Sequence, residues 1–436
     1  MRRLVVFILA TALLVAAAVW LADRPGAVTV HWQGWRVDTT VPVLLVALLA
    51  LVLVIEMVVR LLRGLLAAPG RFLHRRRERR RHEGYRALSD GLAAVAIGDS
   101  RRARKLAHRA DKLLADRALT GLLTARAAEL SGDRTEARRR FDDMLARPET
   151  AMLGLKGLLA LSLEDGDRAA ALDYARRAWA LGAGSDDLAA ALFDLQARAG
   201  QWGEAEATLA EARRRGAMTG ADLLHRQALA LVERARTTTD PTEARKAALK
   251  AHQADPMLVA AATEAATHLH RAGKDRKAAA VIEGTWRVAP HPALVEAMIG
   301  LAPAETPLQR VKRMERLVKA NSEAADGHVA LAEAALAAKL WGHARSHLDQ
   351  AVSLRPTTAV FVLLARLERE ERKDEAAAQA WLAKAAAAPA EPAWVCSACG
   401  KSADGWTVAC SGCGGIDTLD WRQPAAAPAV PAVQAP

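Results

Sequence analysis

Four glycines stand 34 residues apart, at Gly98, Gly132, Gly166 and Gly200, and the same step links Thr239 to Gly273 and Lys339 to Lys373. Five residues after each of these eight positions comes an alanine: Ala103, Ala137, Ala171, Ala205, Ala244, Ala278, Ala344 and Ala378. A fixed period of this length predicts a stacked array of small units and argues against one globular core. Each unit reads as helix, tight turn, helix. A glycine at the turn can adopt the left-handed conformation that ends the first helix. The small alanine then lets the second helix come close to the first. A proline often closes the unit, as at Pro148, Pro256, Pro290, Pro356 and Pro389. One such hairpin cannot bury its apolar face alone, so neighbours must stack.

This spacing resembles the tetratricopeptide family of helical repeats. About nine helix pairs fit between positions 85 and 389. A five-residue insertion separates Gly200 from Thr239 and is expected near 236–240. The stretch 302–321 is degenerate, with a helix expected at 308–319. Apolar residues at helical spacing, such as Leu153, Leu155, Leu158, Leu159 and Leu163, read as core positions of the stack. Aromatic residues make up only 4% of the chain, and strand-like stretches are scarce, which argues against an all-β fold. The predicted fold is all-α. Two transmembrane helices precede a tetratricopeptide-type α-solenoid, and a small four-cysteine, zinc-ribbon-like module follows it.

The residues ahead of the repeats are of another kind. Positions 4–21 are uncharged and almost wholly apolar behind Arg2 and Arg3, close to the length of a membrane helix. A cleaved signal peptide begins the same way. A second apolar segment at 41–59 favours a pair of spans, and its single acid, Glu56, lies near its end. Pro42 sits in its first turn, where a missing N–H costs little. Between the two, Thr29 to Asp38 alternates around Gln33-Gly34, a plausible hairpin turn though weaker than Asn-Gly, with an irregular loop as the alternative. Trp20, Trp32 and Trp35 suit a membrane interface.

The formal charge is +12, and residues 1–90 hold +8 of it, from 14 arginines against six acids. Most of that excess follows the second apolar segment: Arg60, Arg63, Arg71, Arg75, Arg76, Arg77, Arg79, Arg80 and Arg81. Positive charge beside a span stays in the cytoplasm, so both chain ends are expected inside and the short loop outside. The same run can attract anionic lipid head groups, at about 1 kcal/mol per basic side chain near the surface. A nucleic-acid partner is not expected, because the run has no interleaved aromatic platform beyond Tyr85.

All four cysteines lie near the C-terminus as Cys396-Ser-Ala-Cys399 and Cys410-Ser-Gly-Cys413. Paired CxxC motifs are a strong metal signal. Gly400 and Gly414 follow the second cysteine of each pair, where the chain must turn. Four thiolates set tetrahedrally suit Zn²⁺, and a single iron uses the same ligands. Trp394, Trp406 and Trp421 can supply the apolar body that so small a module lacks. A closed four-thiolate site leaves no open position, so no catalysis is assigned to it.

Other motifs fail. Gly400-Lys401-Ser402 lacks the earlier glycine of a phosphate loop, where Val395 stands instead. Gly182-Ala183-Gly184 lacks the third glycine and the preceding strand of a dinucleotide site. His343 and His347 are one helical turn apart and could share a face as metal or haem ligands, but the favoured reading is an ordinary surface pair in the second helix of a repeat. No catalytic and no cofactor-binding residue is assigned. The expected boundaries are 1–70 for the anchor, 71–84 for the Arg-rich segment, 85–389 for the repeats, 390–423 for the cysteine module and 424–436 for a disordered Ala/Pro tail.

The opening stretch carries a more specific resemblance. Trp20-Leu-Ala-Asp-Arg-Pro-Gly26 and Val30-His-Trp-Gln-Gly34 precede the second apolar segment. After it come Leu61-Leu-Arg-Gly-Leu-Leu66 and Pro69-Gly70. This resembles the HemY family of bacterial inner-membrane tetratricopeptide proteins associated with haem biosynthesis. The resemblance is specific over about residues 1–130 and loose over the repeats. It implies a role in late tetrapyrrole synthesis, by organising or regulating proteins at the membrane, and leaves the biochemical activity open; with no catalytic constellation in the sequence, a membrane-tethered scaffold and not an enzyme is expected. The implied partners are haem-biosynthesis enzymes, the inner membrane and its anionic lipids. The cysteine module looks like the zinc-ribbon tail of some members. The repeats and metal module also resemble a regulator of lipopolysaccharide assembly, but the second apolar helix and the Trp-Gly loop depart from it. A porphyrin-handling enzyme or carrier is a third reading, for which the sequence supplies no catalytic constellation.

Overall fold

The computed structural model describes residues 2–23, 26–114, 116–182 and 185–424. The tail expected to be disordered lies outside them, apart from its first residue. The chain separates into two compact units, Met1–Ala137 and Arg138–Pro436.

The first unit opens with helix α1 (Arg2–Ala22) and a hairpin of β1 (Ala27–Trp32) and β2 (Trp35–Thr40), paired antiparallel with Trp32 opposite Trp35. Gln33 at φ 53° and Gly34 at φ 89° both lie in the left-handed region, as a two-residue hairpin turn that follows the strand twist requires. Helix α2 (Val41–Ile97) then runs for 57 residues. The apolar segment, the Arg-rich run and the first helix of the first repeat form one continuous backbone helix here, where the sequence suggests three segments. The residues past the apolar stretch are mostly leucine, alanine and arginine, all strong helix formers. The helix ends only at Gly98, which is left-handed at φ 82° and whose N–H bonds back to the carbonyls of Ala94 and Val95. Within α2, Val41–Leu62 is the one helical stretch among the described residues that is long and apolar enough to cross a membrane. The apolar run in α1, Phe7–Ala17, is shorter. α3 (Ser100–Leu114) packs back on α2 and α4 (Arg117–Leu130) on α3, around buried Ala87, Ala94, Ala103, Ala107 and Leu123. α5 (Arg134–Leu145) begins in this unit and continues into the next.

The second unit continues with α6 (Pro148–Glu164), α7 (Arg168–Ala180), α8 (Asp186–Arg198), α9 (Trp202–Arg215), α10 (Gly220–Thr237), α11 (Pro241–Ala254) and α12 (Val259–Arg271). Then come α13 (Asp275–Val288), α14 (Pro292–Gly300), α15 (Pro307–Ala320), α16 (Ala325–Ala337), α17 (Trp341–Leu354), α18 (Thr358–Glu371) and α19 (Glu375–Ala387). Even-numbered helices open each pair and odd-numbered ones close it. A three-stranded sheet in the order β4-β3-β5 ends the described chain, with β3 (Ala393–Cys396), β4 (Ser402–Ala403) and β5 (Leu419–Arg422).

The repeat positions behave as small-residue contacts should. The eight alanines are all 0–1% exposed, each near the start of a second helix and against its partner. Seven of the eight turn residues have positive φ, including the non-glycines Lys339 (59°) and Lys373 (56°). Thr239 does not, because a β-branched side chain is the most strained in that region. The extra five residues before it are absorbed by lengthening a helix. α10 has 18 residues where α8, α12 and α16 have 13. Of the five leucines read as core in α6, Leu155, Leu158 and Leu159 are buried, whereas Leu153 and Leu163 are about half exposed. Leu153 lies on the opposite side of the helix from Leu155, and Leu163 falls in the last turn. In the degenerate region α14 is short at nine residues, and Thr306 with Gln309 forms a capping box that starts α15. The fully buried Trp286 fills the space beside it and donates from Nε1 to the Leu317 carbonyl at 2.9 Å.

A left-handed lysine carries a steric cost that glycine does not, offset in part by the greater freedom of an unfolded glycine. Lys339→Gly and Lys373→Gly are therefore expected to stabilise the protein by roughly 0.5 kcal/mol each. Chemical denaturation would measure this, and a loss of stability in both variants would contradict the turn analysis.

Candidate metal centre and the helical face it covers

The four cysteines converge. Their sulfurs all lie within 4.8 Å of one another. Cys396 Sγ is 3.8 Å from Cys413 Sγ, and Cys399 Sγ is 3.8 Å from Cys410 Sγ. Four sulfurs placed about 2.3 Å from one tetrahedral ion would stand about 3.8 Å apart, so the set fits a single metal. Strand β3 delivers Cys396, and turns at Gly400 (φ 73°) and Gly414 (φ 70°) fold the chain around each CxxC.

Backbone N–H groups face the sulfurs. Gly412 donates to Cys410 Sγ at 3.3 Å and Gly415 to Cys413 Sγ at 3.4 Å. The Thr418 hydroxyl lies 3.2 Å from Cys396 Sγ and, with nearby backbone N–H groups, holds that thiol down to about 6. The N–H groups of Cys413 and Gly412 likewise lower the Cys410 thiol. Such donors favour thiolate, the form that binds metal. This donor set can hold a metal ion.

The module does not stand alone. Its own core is Cys396, Cys410 and Leu419, with Trp394, Ala403 and Trp406 against it. Most of its remaining apolar surface packs on the repeats. Val408 is only 2% exposed and joins the core of α6 to α10, together with Trp406 and Ile416. Trp394 stacks on His291 with ring centres 5.0 Å apart, Trp421 tilts against His291 at 4.5 Å, and the two indoles meet edge to face at 5.3 Å. His291 is the N-cap of α14, and its Nδ1 accepts from the Ala293 N–H. Burial lowers its pKa to about 4, so it is a neutral, apolar-compatible ring. The guanidinium of Arg236, held by Glu264 at 2.6 Å and Glu233 at 3.0 Å, lies 5.5 Å over the Trp406 ring. The tryptophans expected to build the module's own body thus also build its seat.

One polar clasp closes the contact. His225 on α10 bonds Asp255 through Nδ1 at 2.6 Å and Asp417 of the module through Nε2 at 2.7 Å. Hydrogen bonding to Asp417, and then to Asp255, outweighs desolvation and raises its pKa to about 9. The imidazolium bridges two carboxylates at neutral pH. The repeat-side residues His225, Arg236, Val259, Ala260, Thr263, His291 and Glu296 lie on α10, α12 and α14 or at their caps, all first helices of their pairs. A cavity of about 260 Å³ remains at the seam, lined in part by Arg236, Glu296, Trp406 and Trp421.

The sequence reading named the cysteines and the tryptophans, and the structure brings them together. It missed His225, Asp255, His291 and Asp417. The only local sign was His291 before Pro292, which marks a helix start. Gly182 and Lys401 are not among these ligands, and Gly184 lies outside the described residues. His343 and His347 lie elsewhere, on α17.

These features define a class: a membrane-associated protein of tetratricopeptide-like helix pairs with a four-cysteine cluster. The resemblance to the HemY family holds over residues 26–132, which match the family described as HemY protein N-terminus. A curated relative, a probable magnetosome protein Mms48 of Magnetospirillum gryphiswaldense, is 28% identical over 97% of this chain and 93% of its own length. Among solved structures, a tetratricopeptide repeat protein from Parabacteroides merdae is 14% identical and covers 54% of this chain and 93% of its own, with a TM-score of 0.29. The repeat assignment rests on the helix pairs themselves, not on that superposition.

The raised pKa of His225 fixes a pH window. Its stabilisation is complete below the ordinary value of 6.5 and is lost as pH climbs through about 9. In the metal-loaded protein, Tm is expected to fall between pH 7 and 10, and to fall less in His225→Gln. Equal losses in both proteins would show that the clasp contributes nothing.

Proposed function

We propose that this protein is a membrane-tethered scaffold whose repeats bind and organise, or regulate, proteins of late haem biosynthesis. The observation that carries the reading is the continuity of α2. The same helix that holds the apolar segment Val41–Leu62 also supplies the first helix of the first repeat. An array so tethered raises the local concentration of whatever it binds, without needing one tight contact. Its binding groups are on hand: Leu153, Leu224 and Val362 are exposed apolar side chains on first helices of the second unit. The haem-pathway identity of the partners comes from the HemY resemblance alone. The exposed apolar row favours binding over the porphyrin-handling alternative in this reading.

The anchor in this proposal has two spans, α1 and the first part of α2, joined by the hairpin outside the membrane. Arg71 to Arg81 follow Leu62 by nine to 19 residues. That is the range in which arginines fix the cytoplasmic side. Arg71 stands about 14 Å past the apolar stretch along the helix axis, so only the start of the run lies within reach of anionic head groups. Both termini are then cytoplasmic, where a disulfide is disfavoured and a structural metal is not. The metal proposed for Cys396, Cys399, Cys410 and Cys413 is Zn²⁺, and iron suits the same four thiolates. When bound, it supplies a structural crosslink. The chain's own N–H groups and Thr418 orient the sulfurs.

Crosslinking in native membranes, followed by identification of captured proteins, tests the scaffold role. Enzymes of the last haem steps are the expected catch. Lipopolysaccharide-assembly proteins in their place would turn the reading to the alternative adaptor. A reporter active only outside the inner membrane, fused after Pro436, should stay silent, and activity there would overturn the two-span topology. Cys410→Ser should lose the metal and release the module while helix content persists. Wild-type protein purified with four titratable thiols and no metal would contradict the metal assignment.

A further inference from the structure

Three histidines of the α16–α17 pair meet on the described surface. His328, on α16, is buried, and His343 and His347, one turn apart on α17, are half-buried. Nδ1 of His328 and Nδ1 of His347 are 2.9 Å apart. The ring centres of His328 and His347 are 5.1 Å apart, and those of His343 and His347 are 4.9 Å apart, edge to face. His328 Nε2 lies 3.0 Å from the carbonyl oxygen of Ser322.

The carbonyl decides the chemistry. It can only accept, so Nε2 of His328 carries a proton. In the neutral ring Nδ1 then holds a lone pair, aimed at His347. This is the arrangement by which an outer carbonyl orients a metal-binding imidazole. Two nitrogens each about 2.0–2.1 Å from one ion stand about 2.9 Å apart at a right angle and about 3.3 Å apart in a tetrahedron, so the observed 2.9 Å needs at most a small opening of the pair to seat an ion. A ring-to-ring hydrogen bond alone accounts for His328 and His347. It gives no reason for a third imidazole at the i, i+4 spacing that puts two histidines on one helix face toward a metal. Burial, then the neighbouring His328 and His343, lower the pKa of His347, in the direction that favours the neutral, metal-binding ring. Glu315 supplies negative charge nearby.

We propose that His328, His343 and His347 form a second metal site, distinct from the cysteine cluster, that takes a divalent first-row transition ion such as Zn²⁺, Co²⁺ or Cu²⁺. Imidazole ligands suit these ions, whereas the four thiolates form a softer site. The His343 ring lies edge-on to His347 with centres 4.9 Å apart, so in this proposal His343 joins the ion only after its side chain rotates. Three protein ligands leave a fourth position open, for water or for a donor from a bound protein. The site lies on a helix pair that the cysteine module does not touch through any of the contacts described above.

The test uses the full-length protein in detergent, purified with Zn²⁺ in its cysteine site, and titrates it with Co²⁺. One added equivalent is expected, with weak visible absorption typical of nitrogen and oxygen ligands and no sulfur-to-metal charge transfer. His343→Ala should weaken that binding at least tenfold, and His343→Ala combined with His347→Ala should abolish it. Both side chains are partly exposed, so helix content by circular dichroism should be unchanged. No added equivalent in the wild type, or undiminished binding in the double variant with its fold intact, would overturn the proposal.

Discussion

The close approach of two helices at a buried alanine is the contact on which the repeats depend. At Ala103, Ala137, Ala171, Ala205, Ala244, Ala278, Ala344 and Ala378 the side chain is a single methyl with essentially no exposed surface. A larger residue there would drive the helices apart and shift every contact farther along the pair, because packed interiors transmit strain. The left-handed turn five residues earlier sets the angle at which the second helix returns. Turn and alanine therefore act together, one fixing direction and the other distance. Leucines and the occasional large ring, such as Trp286, fill what remains between neighbouring pairs.

The cysteine module solves a different problem. A segment of some 30 residues cannot bury enough apolar surface to stand by itself. Its inner core is three residues deep, and a metal would tie its two turns together. The rest of its burial comes from the repeats, through Val408, Ile416 and the three tryptophans. The partnership is mutual: the module covers the first helices α10, α12 and α14. An ion bound by the cysteines would thus shape a surface of the repeats as well as the module itself. The charged clasp at His225 adds direction to a contact that is mostly apolar, since an imidazolium between two carboxylates has one favourable geometry.

What the sequence made legible was local. The 34-residue step, the small residue after each turn, the Gln33-Gly34 hairpin and the CxxC pairs all encode their outcome within a few residues. The lengthened α10 was half legible: five extra residues were countable, but only packing decides whether they extend a helix or make a loop. The seat of the module was not legible. His225 and Asp417 are 192 positions apart, and nothing near either one points to the other. The same holds for His328, whose meeting with His347 depends on how two helices stack. His343 and His347 were visible as a pair, but the third ring that gives them chemical meaning came from the neighbouring helix.

Helix α2 joins the first repeat to the apolar stretch Val41–Leu62 with no break in its described backbone. At 1.5 Å per residue its 57 residues span about 86 Å, of which the 35 beyond Leu62 account for about 52 Å. A flexible linker would let the first repeat sample many orientations and would dilute any benefit of tethering. A helical one restricts them, because bending it requires loss of backbone hydrogen bonds or a local kink. Pro69, which cannot donate within the helix, is the position where such a kink costs least. The first repeat therefore inherits its orientation from the apolar stretch of the same helix.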